Sequence, residues 1–576
     1  MDYTIKIGGE AGQGIQTIGD TLARVFSRTG CHVFSHQDYE SRIRGGHNFY
    51  QIRLSNKPIS SSRDRIDIIV ALDQESIKRH EREITERGRI IYDASTLKMK
   101  YDKQPFLDIP FADLAMQTGG SRIMANTVAT GAVLGMLGMD LSPFLDIISE
   151  TFRKKGDDVI IANKNAALAG YDYAIKNCTR CPFSVVADAS ARPKMLIGGV
   201  EAIGLGAVAS GCKFYSAYPM TPSTGIMNYL ATKEKENGIV VEQAEDEIAA
   251  INMSLGASFA GVRSMTGTSG GGFALMVEGL SLAAMTETPI VIALGQRPGP
   301  ATGFPTRTEQ GELQFVLSAG HGEFPRAVFS PGTPRQAIYL TNKAFDLAER
   351  YQIPTFILFD TYLADSQWTF DGIDVSRLRY VDYRLRGDAF RQVAEYRRHA
   401  FTGSGVSPFG VPGDAEHLVV TDSDEHDEEG HIVEDATTRV KMVQKRLLKK
   451  LSLIRGEIAP PFVYGDHRPA IVIAGWGSTY GVMKEAVDEL SKSQRIAMLH
   501  FSELFPFPQR ERFDYVQLLQ NAKHTMCIEN NATGQFSRLM RAETGYEFTR
   551  HIRKFDGRPF TLETLAGEIN GYLRKL

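Results

Sequence analysis

Apolar positions along the chain recur with two periods, and the switch between them repeats from end to end. DYTIKI and HVFSH are strand-length apolar stretches, and IQTIGDTLARVFSRTG between them repeats its apolar residues at helical spacing before stopping at Gly30. RIDIIVALD and GRIIYDAS are continuous apolar runs, as expected of strands covered on both faces of a parallel sheet. MANTVATGAVLGMLG and SPFLDIISETFRK supply further helices, so residues 1–185 predict a doubly wound α/β domain.

The same rhythm restarts over 194–375. KMLIGGVEAIGLGAVASG, FYSAYPMTPST, IVVEQAEDEIAAINMSLGASFAG and RSMTGTSGGGFALMVEGLSLAAMTETPIVIALGQ read as successive strand–helix units, closing on the strand TFILFD. Over 376–465 the texture changes: a basic, aromatic stretch is followed by the acidic TDSDEHDEEGHIVEDA and the helix-like TTRVKMVQKRLLKKLSLI. This predicts a linker or surface excursion. A last α/β unit over 466–576 begins at AIVIAGWGSTYG.

Composition narrows the function classes. A chain of 576 residues predicts about three or four domains. A net charge of −3 leaves no basic footprint for nucleic acid. Neither a secretory leader nor an apolar run near the ~20 residues of a membrane span is visible, so no membrane association is expected. Five cysteines are too few for a disulfide framework, which predicts a cytoplasmic protein. Only Cys178 and Cys181 are spaced as CxxC, a pair that reads as structural or as part of a shared metal or redox function. With Cys31, Cys212 and Cys527 isolated, no iron–sulfur cluster is expected in this chain.

Candidate chemistry sits at strand exits. In YPMTPST the prolines Pro219 and Pro222 stiffen the loop, leaving the hydroxyls of Thr221, Ser223 and Thr224 as adaptable hydrogen-bonding groups. A plain proline-braced turn with a helix cap is the alternative. EQAEDEIAA offers Glu242, Glu245 and Glu247. Glu247 opens a helix rich in small residues, where a carboxylate either complements the helix dipole or is held against an aminopyrimidine ring. Gly270, Gly271 and Gly272 form a strand-to-helix turn suited to close ligand approach. GQRPGPATGFPTRTEQ carries Arg297 and Arg307, either solvated or poised to clamp a carboxylate. Near the N-terminus, GGEAGQG (Gly12, Gly14) and YESRIRGGHN (Arg42, Arg44) read as a phosphate cradle or as a packed turn with surface arginines. The glycine spacing is not GxGxxG.

The order of these motifs resembles the alpha subunit of the 2-oxoacid:ferredoxin oxidoreductases. YPMTPST, EQAEDEIAAINMSLGASFAG, TSGGGFALMVEGLSLAAMTETP and QRPGPATGFPTRTEQ are similar to that family's thiamine-diphosphate pyrimidine-binding domain. GGEAGQG with YESRIRGGHN resembles its gamma domain, fused here at the N-terminus, and AGWGSTYG with FPFP resembles its transketolase-C-like domain. The resemblance implies that Glu247 activates the aminopyrimidine, with Glu245 as fallback. It implies that Thr221 meets the 2-oxo substrate, that Arg297 holds its carboxylate, and that Arg307 is second choice or serves a distal group. Tyr218, Pro219, Gly270 and Gly271 would line the cofactor, and Gly12, Gly14, Arg42 and Arg44 are the candidates for coenzyme A contact.

No acidic GDG…N loop for a metal-bound diphosphate is found. The resemblance therefore implies a beta subunit that carries the Mg²⁺ loop and a [4Fe–4S] cluster and shares thiamine diphosphate with this chain. The expected assembly is (αβ)2, passing electrons to ferredoxin. The expected reaction is coenzyme A-dependent oxidative decarboxylation of a 2-oxoacid. 2-Oxoglutarate, giving succinyl-CoA and CO₂, is favoured over pyruvate or branched 2-oxoacids. A nicotinamide-dependent dehydrogenase and a non-catalytic assembly subunit are the rival readings.

Overall fold

The computed structural model describes residues 1–42, 45–179, 181–185 and 191–575. The chain forms two compact units, one of residues 1–197, 366–372 and 561–576, the other of residues 198–365 and 373–560.

The first unit is built on an eight-stranded sheet, in the order Phe106–Asp108, Ile84–Tyr92, Ile66–Ala71, Asp2–Ala11, Gly45–Ser55, His32–Asp38, Ser366–Phe370, Met195–Gly198. From Asp2–Ala11 to Phe106–Asp108 the pairing is parallel, as the apolar runs predict. On the other side it turns antiparallel, through Gly45–Ser55, His32–Asp38 and Ser366–Phe370. The expected α/β architecture is found, with an antiparallel flank on this side of the sheet. Gly45–Ser55 is hard to read as a strand because several of its buried side chains are polar. Arg53 is 5 % exposed and donates to both carboxylate oxygens of Asp2, at 2.8 and 2.7 Å, while Gln51 donates to the Arg63 carbonyl at 2.7 Å. Satisfied in this way, they can replace apolar side chains without the cost of a bare buried polar group.

At the end of this unit's long helix Asp157–Asn177, Cys178 and Cys181 are joined in a disulfide, while Cys31, Cys212 and Cys527 are buried free thiols. A single bridge between near neighbours is not the framework that the cysteine count argues against. Among the described residues no helix is long and apolar enough to cross a membrane.

The second unit holds two sheets. The larger has the order Glu503–Phe505, Ala327–Phe329, Pro354–Asp360, Ile290–Gln296, Ser264–Ser269, Phe214–Ala217, Val240–Gln243, parallel except for Glu503–Phe505. The smaller has the order Phe462–Gly465, Ile496–Phe501, Ile471–Trp476, His524–Glu529, Arg550–Arg553, parallel except for its first strand. One continuous apolar core contains Ile292, Leu294 and Phe356 of the larger sheet and Trp476, Leu499 and Phe501 of the smaller.

The 376–465 stretch, expected as a linker or surface excursion, is anchored inside this unit. Glu287, 1 % exposed, accepts from Lys445 at 2.6 Å and forms ion pairs with Lys450 at 2.5 Å and His399 at 3.0 Å. Arg398 donates to the Glu287 carbonyl at 2.7 Å and to Gln352 Oε1 at 2.9 Å. Charges that look solvated in the sequence are therefore the ties of a buried ionic cluster. Burial pushes the Glu287 carboxyl upward, but the two ammonium groups overcome this and hold it well below the usual carboxylate range.

Candidate active site

Four of the sequence motifs lie at the carboxyl ends of adjacent strands of the larger sheet, where parallel sheets present their ligands. YPMTPST follows Phe214–Ala217, Glu247 follows Val240–Gln243, the triple glycine follows Ser264–Ser269, and Arg297 follows Ile290–Gln296.

Of the three candidate carboxylates, Glu242 and Glu245 are exposed and Glu247 is buried. Asp246 caps the helix Glu247–Phe259 by accepting from the Ala249 N–H at 2.7 Å, which relieves Glu247 of that task. Glu247 is 4 % exposed, and its Oε1 is sealed from solvent without a hydrogen-bond partner. Burial raises its pKa, with Asp246 adding to the rise and the backbone N–H of Glu247 itself opposing it. Leaving a buried polar oxygen bare costs about 1–3 kcal/mol, which a ligand donor at that point would offset. The carboxyl and the Thr268 hydroxyl crowd the space above Gly272, where any side chain would strike both. Above Gly271 the nearest atom is the Ala301 carbonyl oxygen, 3.9 Å from where a Cβ would stand. The glycine turn is thus filled at one position and open at the next.

Arg297 donates from Nη1 to the Thr221 carbonyl at 2.9 Å, which brings these two predicted residues together. Burial lowers the Arg297 pKa and the nearby Glu312 opposes the shift. The Ser223 hydroxyl, read from the sequence as adaptable, is committed to the Met220 carbonyl at 2.7 Å. Tyr218 is exposed and Pro219 half-buried beside it. Arg307 has different surroundings: a Cβ on Gly557 would stand 3.2 Å from its Cβ, and the next residue, Thr308, donates to the Gly557 carbonyl at 3.3 Å.

In the first unit, Gly12 and Gly14 have φ of 94° and 83°, and Gly14 sits immediately before the helix Ile15–Arg28. Ala11 pairs with Gly45, so the glycine loop and the start of Gly45–Ser55 lie side by side; among the described residues, chain neighbours aside, no atom is within 4 Å of where a Cβ on Gly12 or Gly45 would stand. The Arg42 side chain is largely exposed and pairs with Glu40 at 3.1 Å. Arg44 lies outside the described residues.

Sequence reasoning misses Glu312. It lies two residues past TRTEQ, and burial, with Glu309 adding, pushes its carboxyl up to about 8 against the pull of Arg297. Its nearness to the arginine motif is the one signal that points to it.

The fold is α/β, and the candidate site lies at the strand ends of its larger, mainly parallel sheet. Residues 205–445 match the family model described as "Pyruvate flavodoxin/ferredoxin oxidoreductase, thiamine diP-bdg", and residues 4–173 match "Pyruvate ferredoxin/flavodoxin oxidoreductase". The 2-oxoacid:ferredoxin oxidoreductase subunit alpha of a Sulfolobus species is 31% identical, covering 98% of this chain and 96% of its own. The 2-oxoglutarate oxidoreductase subunit KorA of Mycobacterium tuberculosis is 26% identical, covering 100% and 91%. Among solved structures, the 2-oxoglutarate:ferredoxin oxidoreductase of Magnetococcus marinus, with 2-oxoglutarate, coenzyme A and succinyl-CoA bound, superposes with a TM-score of 0.90 at 31% identity over 99% of each chain. The chain belongs to the 2-oxoacid:ferredoxin oxidoreductase family, as an alpha subunit.

Proposed function

We propose that the chain is the alpha subunit of a coenzyme A-dependent 2-oxoglutarate:ferredoxin oxidoreductase. The observation that carries this reading is the buried, unpaired Oε1 of Glu247 at the start of a capped helix. Such an oxygen fits an aminopyrimidine, which needs a carboxyl group with which to share a proton. When bound, thiamine diphosphate supplies the carbon nucleophile that decarboxylation of a 2-oxoacid requires.

The protein's own residues have distinct tasks. Glu247 holds or releases a proton at Oε1, in surroundings whose burial favours proton retention. Tyr218, Pro219, Gly270 and Gly271 offer the cofactor a wall and an open backbone turn. Arg297 holds the substrate carboxylate by two parallel N–H bonds, and Thr221 orients the keto group. Arg307 serves the distal group of a longer substrate. Gly12, Gly14 and Arg42 receive coenzyme A, with Arg44 as a further candidate.

A partner chain completes the enzyme. Ile248, Met253 and Leu275 are exposed apolar side chains on the two helices that carry Glu247 and the triple glycine, which supports a covering subunit. We assign to that beta subunit the Mg²⁺ and diphosphate loop and the [4Fe–4S] cluster that passes electrons to ferredoxin, in a cytoplasmic (αβ)2 assembly. The choice of 2-oxoglutarate is supported by the likeness to the Magnetococcus marinus enzyme, which has 2-oxoglutarate and succinyl-CoA bound and a chain of which this one matches along its length. In the two-subunit complex, Glu247→Gln is expected to abolish acyl-CoA formation from 2-oxoglutarate while assembly persists. Near-normal turnover of that variant would refute the assignment. Wild-type turnover restricted to pyruvate or branched 2-oxoacids would overturn the substrate.

A further inference from the structure

Thr268 has no task in the proposed reaction, yet it is the side chain that shares the space of Glu247. It is fully buried, one residue before the end of the strand Ser264–Ser269. The three atoms nearest to where a Cβ on Gly272 would stand are Thr268 Oγ1 and the Oε1 and Cδ of Glu247. Both oxygens lie within hydrogen-bonding distance of that one point, which the glycine leaves empty. Strand and helix thus bring a hydroxyl and a carboxyl oxygen to a space that one methyl group would fill.

The hydroxyl is poorly served elsewhere. It donates to the Ser269 carbonyl at 3.3 Å and to Met220 Sδ at 4.0 Å, the first a long O–H···O bond and the second to a weak acceptor. Glu247 Oε1 has no hydrogen-bond partner, and a carboxylate is a stronger acceptor than either. A turn of the hydroxyl, with a small shift of the carboxyl over Gly272, joins the two. Oε1 has two lone pairs, so it can accept from Thr268 and face a ligand nitrogen together. The charged group beside Glu247 among the described residues is Asp246, on its own helix. The strand meets it with Thr268 and the helix Gly270–Met285 with Gly272, both uncharged. Glu312 reaches that helix at Gly270, its Oε1 2.6 Å from where a Cβ would stand.

We propose that Thr268 is a positioning residue that acts through Glu247. Its hydroxyl donates to Oε1 when the carboxyl has passed its proton to the ligand nitrogen, and turns back to Ser269 and Met220 when the proton returns. A hydroxyl that donates to the charged form favours that form, so Thr268 eases the proton release that burial opposes. Gly272 keeps the two groups in reach, because any side chain there would part them. This inference rests on the reading of Glu247 as the group that shares a proton with the aminopyrimidine.

The test uses the two-subunit complex, first without cofactor. Protonation of Glu247 is followed by infrared difference spectroscopy of its carboxyl band against pH, with Glu247→Gln assigning the band. Thr268→Val, which removes the hydroxyl and nearly keeps the shape, is expected to raise the midpoint by about one pH unit, and Thr268→Ser to restore it. With thiamine diphosphate and 2-oxoglutarate, Thr268→Val is expected to lower kcat about tenfold and to hold KM within about twofold. A merely structural Thr268 would change stability and leave the midpoint alone. An unmoved midpoint in Thr268→Val, or one that Thr268→Ser fails to restore, overturns the proposal. Should Thr268→Val fail to assemble, Thr268→Ala decides by the same measurements. A Glu247→Gln complex with near-normal turnover overturns the reading of Glu247 itself and the proposal with it.

Discussion

Arg297 Nη1 donates to the Thr221 carbonyl at 2.9 Å, so one side chain ties together loops on either side of the strand Ser264–Ser269. Neighbouring strands are about 4.8 Å apart, and the arginine reaches across two such spacings. Arg297 and the loop it braces are mechanically one element, and the triple glycine lies at the end of the intervening strand.

Arg297→Lys keeps the charge and loses the planar fork. It is expected to raise the KM for the 2-oxoacid by about 10- to 100-fold, the cost of about 1.4–2.8 kcal/mol of lost bidentate bonding, with a smaller fall in kcat. Arg297→Ala also frees the Thr221 loop and should lower kcat as well. Steady-state kinetics of the two variants separate charge from geometry.

Gly272→Ala places a methyl group against the Glu247 carboxyl and the Thr268 hydroxyl, whereas Gly271→Ala meets its nearest atom at 3.9 Å. The first is expected to lower the stability of the chain by about 1–3 kcal/mol through overpacking, and the second to raise it by about 0.4–1 kcal/mol by restricting the unfolded chain. Urea unfolding of the two variants reads the difference in sign.

Glu287→Ala would leave Lys445 and Lys450 buried without their counter-ion. A loss of about 3–5 kcal/mol is expected, with the 376–465 stretch becoming the first region open to limited proteolysis. The pH dependence has a definite sign. The folded-state pKa of Glu287 is depressed, so its contribution is fully present above the ordinary carboxylate value of about 4.3 and is lost as pH falls through the folded value. Acid unfolding monitored by hydrogen exchange should release this stretch early.

Arg42→Ala in the two-subunit complex is expected to raise the KM for coenzyme A several-fold and to leave the KM for the 2-oxoacid unchanged, at an exposed site whose Glu40 pairing contributes about 0–1 kcal/mol. An equal change in both constants would remove Arg42 from the coenzyme A site.

Much of the candidate site is legible in the sequence. Glu247 opens a helix because Asp246 is an N-cap residue in the right place, and the small residues after it let neighbours come close. Thr221, the glycine turn and Arg297 follow strands whose apolar runs announce them. These are local relations, encoded within a few residues of one another. Glu312 is not legible in this way, because its burial depends on Gln296 and Gly270, which reach it through the fold.

The sequence by itself determined most of the element types, their alternation, the candidate site residues and the family they resemble, since helical and strand periods and motif order are written along the chain. Only the tertiary structure decided which strands pair. Ser366–Phe370 joins the sheet of the first unit, Gly45–Ser55 forms a strand on satisfied polar side chains, and the charged 376–465 stretch is tied to Glu287. Strand partners and ion-pair partners are chosen by contacts between residues far apart in the chain, and no local period records them.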